Sequence, residues 1–108
     1  MINFDDFAKI DIRIGEIKSA EKVEKSDRLF LCKVDVGEKV ERQIVSGVAE
    51  YFDSPEALIG KKIPVLMNLE PRKIMGYESQ GMILYVSDGK DLTTLEPNKE
   101  MGNGSVVK

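Results

Sequence analysis

Apolar and polar residues alternate along most of this chain, and the alternation marks out strands. "AKIDIRIGEIKSA" places Ile10, Ile12 and Ile14 on one parity and Asp11 and Arg13 on the other, the period of two expected of a strand with one buried face. Beyond Gly15 the next isoleucine is Ile17, so the parity flips there. A glycine at such a flip predicts a bulge or sharp bend, which lets a sheet curl toward closure. After the charged stretch "EKVEKSD", a second strand in "RLFLCKVDVGE" holds Phe30, Cys32, Val34 and Val36 on one parity. Gly37 with Glu38 and Lys39 predicts a hairpin turn into a third strand in "VERQIVSGV".

"SPEALIGKK" breaks the alternation. Ser54 suits an N-cap, Pro55 the first helical position, Glu56 the positive helix start and Gly60 the stop, so a short helix is predicted between strands. "KKIPVLMNL" returns to strand character, with Pro64 implying an edge or an unpaired position. "QGMILYVSDGKDLTTLEP" reads as strand, Asp-Gly hairpin turn and strand, and "EMGNGSVVK" as a Gly-Asn-Gly turn with a short terminal strand. No repeat, linker or low-complexity tract interrupts this order, so residues 1–108 are expected to form one domain. Five principal strands, a bent first strand, a short inserted helix and extra terminal strand elements fit an all-β, partly open Greek-key barrel. This is the oligonucleotide/oligosaccharide-binding type (OB-fold), preferred here over a seven-strand sandwich.

Composition removes most chemistry. The chain of 108 residues is 42% hydrophobic and 32% charged, a globular balance with one core, and no apolar run nears the ~20 residues of a spanning helix. The N-terminus has acidic residues where a secretory signal has basic ones, so no membrane partner and a cytoplasmic location are expected. There is no histidine, and the single cysteine, Cys32, lies in an apolar strand. Disulfides, the familiar zinc and iron-sulfur sites and histidine-assisted nucleophiles are therefore excluded. No phosphate-loop pattern occurs, and Asp5, Asp6 and Asp11 read as solubilising rather than metal-binding. No cofactor, no metal and no catalysis are expected.

Charge then points to one segment. Net charge is −3, yet residues 61–85 carry four basic groups, Lys61, Lys62, Arg72 and Lys73, against two acidic ones. Lys33 and Arg42 lie on strands expected to neighbour them. Such cations are either a solvated face or a surface for an anionic partner. The same segment holds "NLEPRKIMGYESQGMILY", in which Ser79 and Gln80 supply short groups suited to phosphates or 2′-hydroxyls. Gly76 and Gly81 permit turns or close backbone approach. Met82 alternates with Leu84, which favours the core; at an exposed strand end its thioether would instead pack on a ribose or base. Only Tyr77 and Tyr85 among the aromatics lie nearby, so base stacking is less supported than recognition of folded RNA through its backbone.

Three stretches, "FAKIDIRIGEIKSAEKVEKSDRLFLCKVDVG", "IVSGVAEYFDSPEALIGKKIPVLMNLEPRKIMGYESQGMIL" and "LEPNKEMGNGSVVK", together resemble the tRNA-binding-domain family over almost the whole chain. The block from Asn68 to Met82 is the most specific part. The family includes free-standing dimeric tRNA-binding proteins, C-terminal extensions or beta subunits of methionyl-tRNA synthetase, and a cytokine-like domain of some synthetase complexes. The resemblance implies an OB-fold that binds tRNA by shape without catalysis, as a homodimer or with an aminoacyl-tRNA synthetase. It places the functional block on Asn68, Arg72, Lys73, Ser79, Gln80 and Met82, to which the charge argument adds Lys33 and Arg42. A related branch is a secretion-associated chaperone with a Ser-Glu-Val-type sequence where this chain has Ser79, Gln80, Gly81 and Met82. That departure favours tRNA over polypeptide; a protein-binding chaperone or a pure dimerisation module is the alternative. A net charge of −3 implies weak, salt-sensitive binding, reinforced by a dimer or an attached synthetase.

Overall fold

A computed structural model describes all 108 residues. Strands β1 (Ile12–Lys22), β2 (Phe30–Asp35) and β3 (Arg42–Ser46) form an antiparallel meander, after which β4 (Lys62–Leu66) returns to the free side of β1. The chain then makes β5 (Arg72–Ile74), β6 (Tyr77–Ser79), β7 (Met82–Ile83), β8 (Tyr85–Ser87), β9 (Leu92–Thr94) and β10 (Val106–Val107). The main sheet runs β3-β2-β1-β4-β7, with β10 also on β1. A fourth strand beside the first of a meander is the Greek-key order, and the result is a nearly closed five-stranded antiparallel barrel of OB type.

β1 holds the barrel together because it serves both halves. Ile12 through Glu16 pair with β4, and Glu16 through Lys22 pair with β2. The predicted bend is present, but the register shift falls between Ile17 and Ser19 rather than at the glycine. Gly15 answers a different need. A Cβ there would lie 2.7 Å from a methyl of Val34 and 2.8 Å from one of Val36. Side chains thus alternate with a gap that Val34 of β2 and Val36 just beyond it fill, and Ile14, Ile17 and Ala20 are the buried positions. Ile10 is exposed and Ile12 half-buried, because a helix precedes the strand. This helix, α1 (Phe4–Ala8), begins in a capping box: Asn3 Oδ1 accepts from the Asp6 backbone N–H at 2.9 Å, and Asp6 accepts from the Asn3 N–H at 3.3 Å.

The core is built from Phe30, Ile17, Ile44, Leu58, Ile63 and Val65, all fully buried, each worth roughly 1.5–3 kcal/mol of transfer free energy. Leu58 enters from the predicted inserted helix, which is a single 3₁₀ segment, Pro55–Leu58, in which Ser54 makes no side-chain cap. The helix is held against β1 by its flanks: Gly60 N–H donates to Ile17 O at 2.8 Å, and Ile17 N–H to Lys61 O at 3.0 Å. Pro64 lies in an inner strand, between β1 and β7. It is neither at an edge nor unpaired: it stands opposite Ile14 of β1, and its carbonyl accepts from Leu84 N–H at 2.9 Å. The missing N–H costs β1 nothing, because Ile14 bonds through its own N–H and carbonyl to Ser105 and Gly104. Asp88 and Gly89 turn β8 into β9, with Asp88 Oδ1 accepting from Lys90 and Asp91. No helix is long and apolar enough to cross a membrane.

Gly15→Ala should lower unfolding free energy by about 1–3 kcal/mol in urea titration, since stiff β-branched valines cannot swing away. Combined with Val36→Ala, it should cost less than the sum of the two single changes.

Candidate nucleic-acid interface

The segment rich in basic and glycine residues forms a two-stranded arm outside the main sheet. Arg72, Lys73 and Ile74 pair with Ser79, Glu78 and Tyr77, and Met75 (φ 52°) and Gly76 (φ 85°) make the two-residue turn. Two successive positive φ angles match the twist of the flanking strands. Ile74 fastens the arm to a small apolar cluster of Val23, Leu31 and Val45 on the outside of the barrel. The loop between β1 and β2 rests on the same cluster through Val23 and Leu29.

Polar residues of the motif sew the barrel shut. Ser79 is buried; its hydroxyl accepts from Val45 N–H at 3.0 Å and donates to Gly81 O at 3.1 Å. Gln80 accepts from Gln43 N–H at 2.9 Å through Oε1, while its own N–H donates to Gln43 O at 2.7 Å. These bonds bridge β3 to the turn before β7, where the ladder itself is incomplete. Gly81 (φ 145°) passes so close to β4 that a Cβ would sit 2.9 Å from Leu66 O. Arg42 completes the closure: one terminal nitrogen donates to Met67 O at 2.7 Å and Gln80 O at 3.0 Å, and its other donors hold Glu38. That ion pair holds the Glu38 carboxyl below its ordinary value. Asn68 ties down the N-terminal segment, accepting from Asp11 N–H at 2.9 Å and donating to Lys9 O at 2.6 Å.

The nominated residues therefore divide. Ser79, Gln80, Asn68 and Arg42 are engaged within the protein, and Lys33 Nζ donates to Gln43 Oε1 at 3.0 Å. Arg72 and Lys73 are exposed on the arm and enter no ion pair. Met82, placed in the core by its alternation with Leu84, is 43% exposed, and Ile83 is the buried residue of β7. The alternation itself holds, since Leu84 is only half-buried; it is Ile83, opposite Val65 of β4, that faces the core. Lys61 and Lys62 are not brought to Arg72. They occupy the opposite end of β4, roughly 13 Å along the strand at ~3.3 Å per residue, paired to Glu96 and Glu100.

Two features escape a linear reading. Lys22, the last residue of β1, and Lys25, on the loop that follows, are exposed, form no ion pair and lie either side of Val23 in the arm's apolar anchor; their region is electrically balanced along the sequence, so only topology singles them out. The second feature is a cleft of about 250 Å³ where the barrel seam stays open, between the end of β3, the arm and β8. Val48, Leu69, Met82, Ile83 and Tyr85 line it, with Arg72 also on its surface. Beside it the Tyr85 hydroxyl is buried near Ser46 without a well-formed hydrogen bond, and burial pushes its pKa up to about 12. Burial likewise pushes the Cys32 thiol up to about 12, as befits a core hydrophobe rather than a nucleophile. No group of three acidic or thiol side chains is arranged to hold a metal.

Among known proteins, the family described as "Putative tRNA binding domain" matches residues 12–106. The chain belongs to the tRNA-binding-domain family. Methionine--tRNA ligase of Caldanaerobacter subterraneus subsp. tengcongensis is 48% identical over 106 residues, 98% of this chain and 16% of that protein. The chain thus spans about a sixth of the length of the curated relatives it matches. The MetRS related protein from Pyrococcus horikoshii superposes with a TM-score of 0.92 at 34% identity, covering 100% of this chain and 98% of that one. The chaperone CsaA from Bacillus anthracis str. Ames superposes with a TM-score of 0.88 at 30% identity, over 100% and 99% of the two chains. The barrel of this chain thus resembles both a synthetase-related protein and a chaperone.

Ser79→Ala, which strips Val45 N–H of its acceptor, should cost about 1–3 kcal/mol of stability. Arg42→Lys should also destabilise, because an ammonium cannot span two carbonyls and a carboxylate. The Glu38 carboxyl is depressed in the folded state, so its stabilising effect is present above the unfolded glutamate value of about 4.3. It fades as pH falls from there through the folded value. Glu38→Gln should flatten that part of the stability profile measured by denaturant titration.

Proposed function

We propose that this chain is a non-catalytic module that binds folded tRNA through the face carrying the β5–β6 arm. It works either as a free-standing homodimer or as an appendage or beta subunit of methionyl-tRNA synthetase. One observation carries the assignment of the face: on a motif in which Asn68, Ser79 and Gln80 are engaged within the protein, Arg72 and Lys73 remain exposed and without ion-pair partners. Held on a hairpin fixed by Ile74, they suit phosphates spaced along a rigid backbone better than a mobile client. Ser79, Gln80, Asn68 and Arg42 act at one remove, by holding the arm and seam in place. Lys33, beside Gln43, and the exposed Met82 extend the contact surface on either side.

Synthetase relatives support the tRNA reading and the attachment to methionyl-tRNA synthetase, and a cytoplasmic site of action goes with both. Dimerisation fits the apolar residues left exposed near the two termini, among them Phe4, Leu95, Met101 and Val106. Two copies would raise a weak, salt-sensitive affinity through effective concentration. The similarity to CsaA keeps a second reading in play, in which the same face binds polypeptide. An unfolded client favours exposed apolar grooves over cations, so competition between total tRNA and a denatured client separates the two.

Replacing Arg72 and Lys73 together by alanine should weaken tRNA binding and reduce the magnitude of the log K against log salt slope by up to about two, with the melting temperature unchanged. Ser79→Ala should lower the melting temperature and leave the slope near the wild-type value. Equal slopes for the double variant and wild type would remove the arm from the interface.

A further inference from the structure

We infer that Gln80 is a positioning residue of the RNA face: its amide holds the Glu78 carboxylate away from Lys73, so that the Lys73 charge stays available to a phosphate. The inference rests on the tRNA reading above and adds to it the means by which the arm keeps its cation. Lys73 and Glu78 stand directly opposite each other in the β5–β6 ladder. Opposite charges at such positions attract, and their pairing would cancel one of the two cations of the arm. No ion pair joins them. The Glu78 carboxylate instead accepts from Gln80 Nε2 at 3.1 Å, and the Glu78 carbonyl accepts from Gln43 Nε2 at 2.9 Å.

Both amides are held in this sense by groups that can only donate. The Gln43 backbone N–H donates to Gln80 Oε1 at 2.9 Å, which leaves the NH2 group of Gln80 facing Glu78. The Lys33 ammonium donates to Gln43 Oε1 at 3.0 Å and in the same way turns the NH2 group of Gln43 to the Glu78 carbonyl. A glutamine fixed through its oxygen thus becomes a clamp for a carboxylate. Other charges on that side do not hold Glu78 in place. Glu38, Glu41 and Arg42 line the same depression as Glu78 and Gln80, but Arg42 is committed to Glu38 and to two carbonyls. Glu38 and Glu41 add negative charge that favours departure of the Glu78 carboxylate, and the Gln80 amide opposes it. A glutamate in place of Gln80 could still accept from Gln43 N–H, but it would have no donor left for Glu78 and would repel it onto Lys73. Gln80 therefore sets the charge of the arm as well as closing the seam.

Salt-dependent tRNA affinities in a double-variant cycle test this, with melting curves to confirm folding. In wild type, Lys73→Ala should weaken binding about tenfold near 0.1 M salt and reduce the magnitude of the log K against log salt slope by about one. Gln80→Glu should bring a loss of similar size, and in that background Lys73→Ala should change affinity and slope little further. Exchanging the two groups, Glu78→Gln with Gln80→Glu, keeps the wild-type net charge and gives the new carboxylate an amide to accept from; the wild-type slope and its sensitivity to Lys73→Ala should return. In the free protein, the carboxylate carbon of Glu78 followed by NMR should respond to Lys73→Ala more strongly in Gln80→Glu than in wild type. Equal effects of Lys73→Ala in wild type and in Gln80→Glu, or an exchanged variant no better than Gln80→Glu, overturn the inference while leaving tRNA binding intact. If Gln80→Glu does not fold, Glu78→Gln decides, since Glu78 is exposed: an unchanged slope supports a carboxylate already held off Lys73, and a slope steeper by about one overturns it. A wild type that binds no tRNA, or whose slope is indifferent to Lys73→Ala, refutes the reading of the face itself, and the carbon shifts then decide the clamp alone.

Discussion

The hydrogen bonds that carry β3 across to residues 79–81 are the constraint on which the rest of the structure depends. Without them the sheet β3-β2-β1-β4-β7 is an open ribbon with two bare edges, and bare edges invite pairing with other chains. The two-residue β7 is too short to close the barrel by its own ladder. Closure is therefore assigned to side chains: the Ser79 hydroxyl, the Gln80 amide and the Arg42 fork each stand in for a missing backbone partner. A serine, glutamine and glycine in succession look like ligand chemistry on paper, yet in the folded chain they substitute for strand.

That substitution decides how far sequence reasoning reaches. Strand order, the Asp88–Gly89 hairpin and the terminal Gly-Asn-Gly turn are legible because they depend on period and turn chemistry, which are local. The short helix Phe4–Ala8 is legible in principle, through the Asn3 and Asp6 capping pair, but five residues give too little periodicity to announce it. Met82 misleads because alternation in so short an apolar run does not say which of its two faces is inward, and here it is the face of Ile83. The pairing of Lys61 and Lys62 with Glu96 and Glu100 is long-range and leaves no mark on neighbouring residues. For the same reason the seam cleft, assembled from β3, the arm and β8, is invisible until the barrel is drawn closed.

A negatively charged protein that binds a polyanion must concentrate its attraction locally. Here six of the sixteen basic side chains, Arg13, Lys18, Arg28, Arg42, Lys61 and Lys62, are paired with carboxylates. Four of the unpaired ones, Lys22, Lys25, Arg72 and Lys73, gather on the arm and beside it, and the rest are scattered over the chain. Selectivity then comes from geometry rather than from bulk charge, which also limits adhesion to other nucleic acids. The same barrel in a chaperone is consistent with this division: the scaffold is common, and a few rim residues set what it holds.

The turn of the arm has its own consequence for motion. Met75 sits at φ 52°, a conformation that costs a side chain bearing a Cβ of order 1 kcal/mol or more, at the tip of a hairpin of three residue pairs that is anchored at its base by Ile74, Glu78 and Ser79. Its amides should open to solvent exchange well before those of β1 and β2. Only the tip of the arm around Met75 and Gly76 is thus free to open, because at Glu78 and Ser79 the second strand of the hairpin is already bonded to β3.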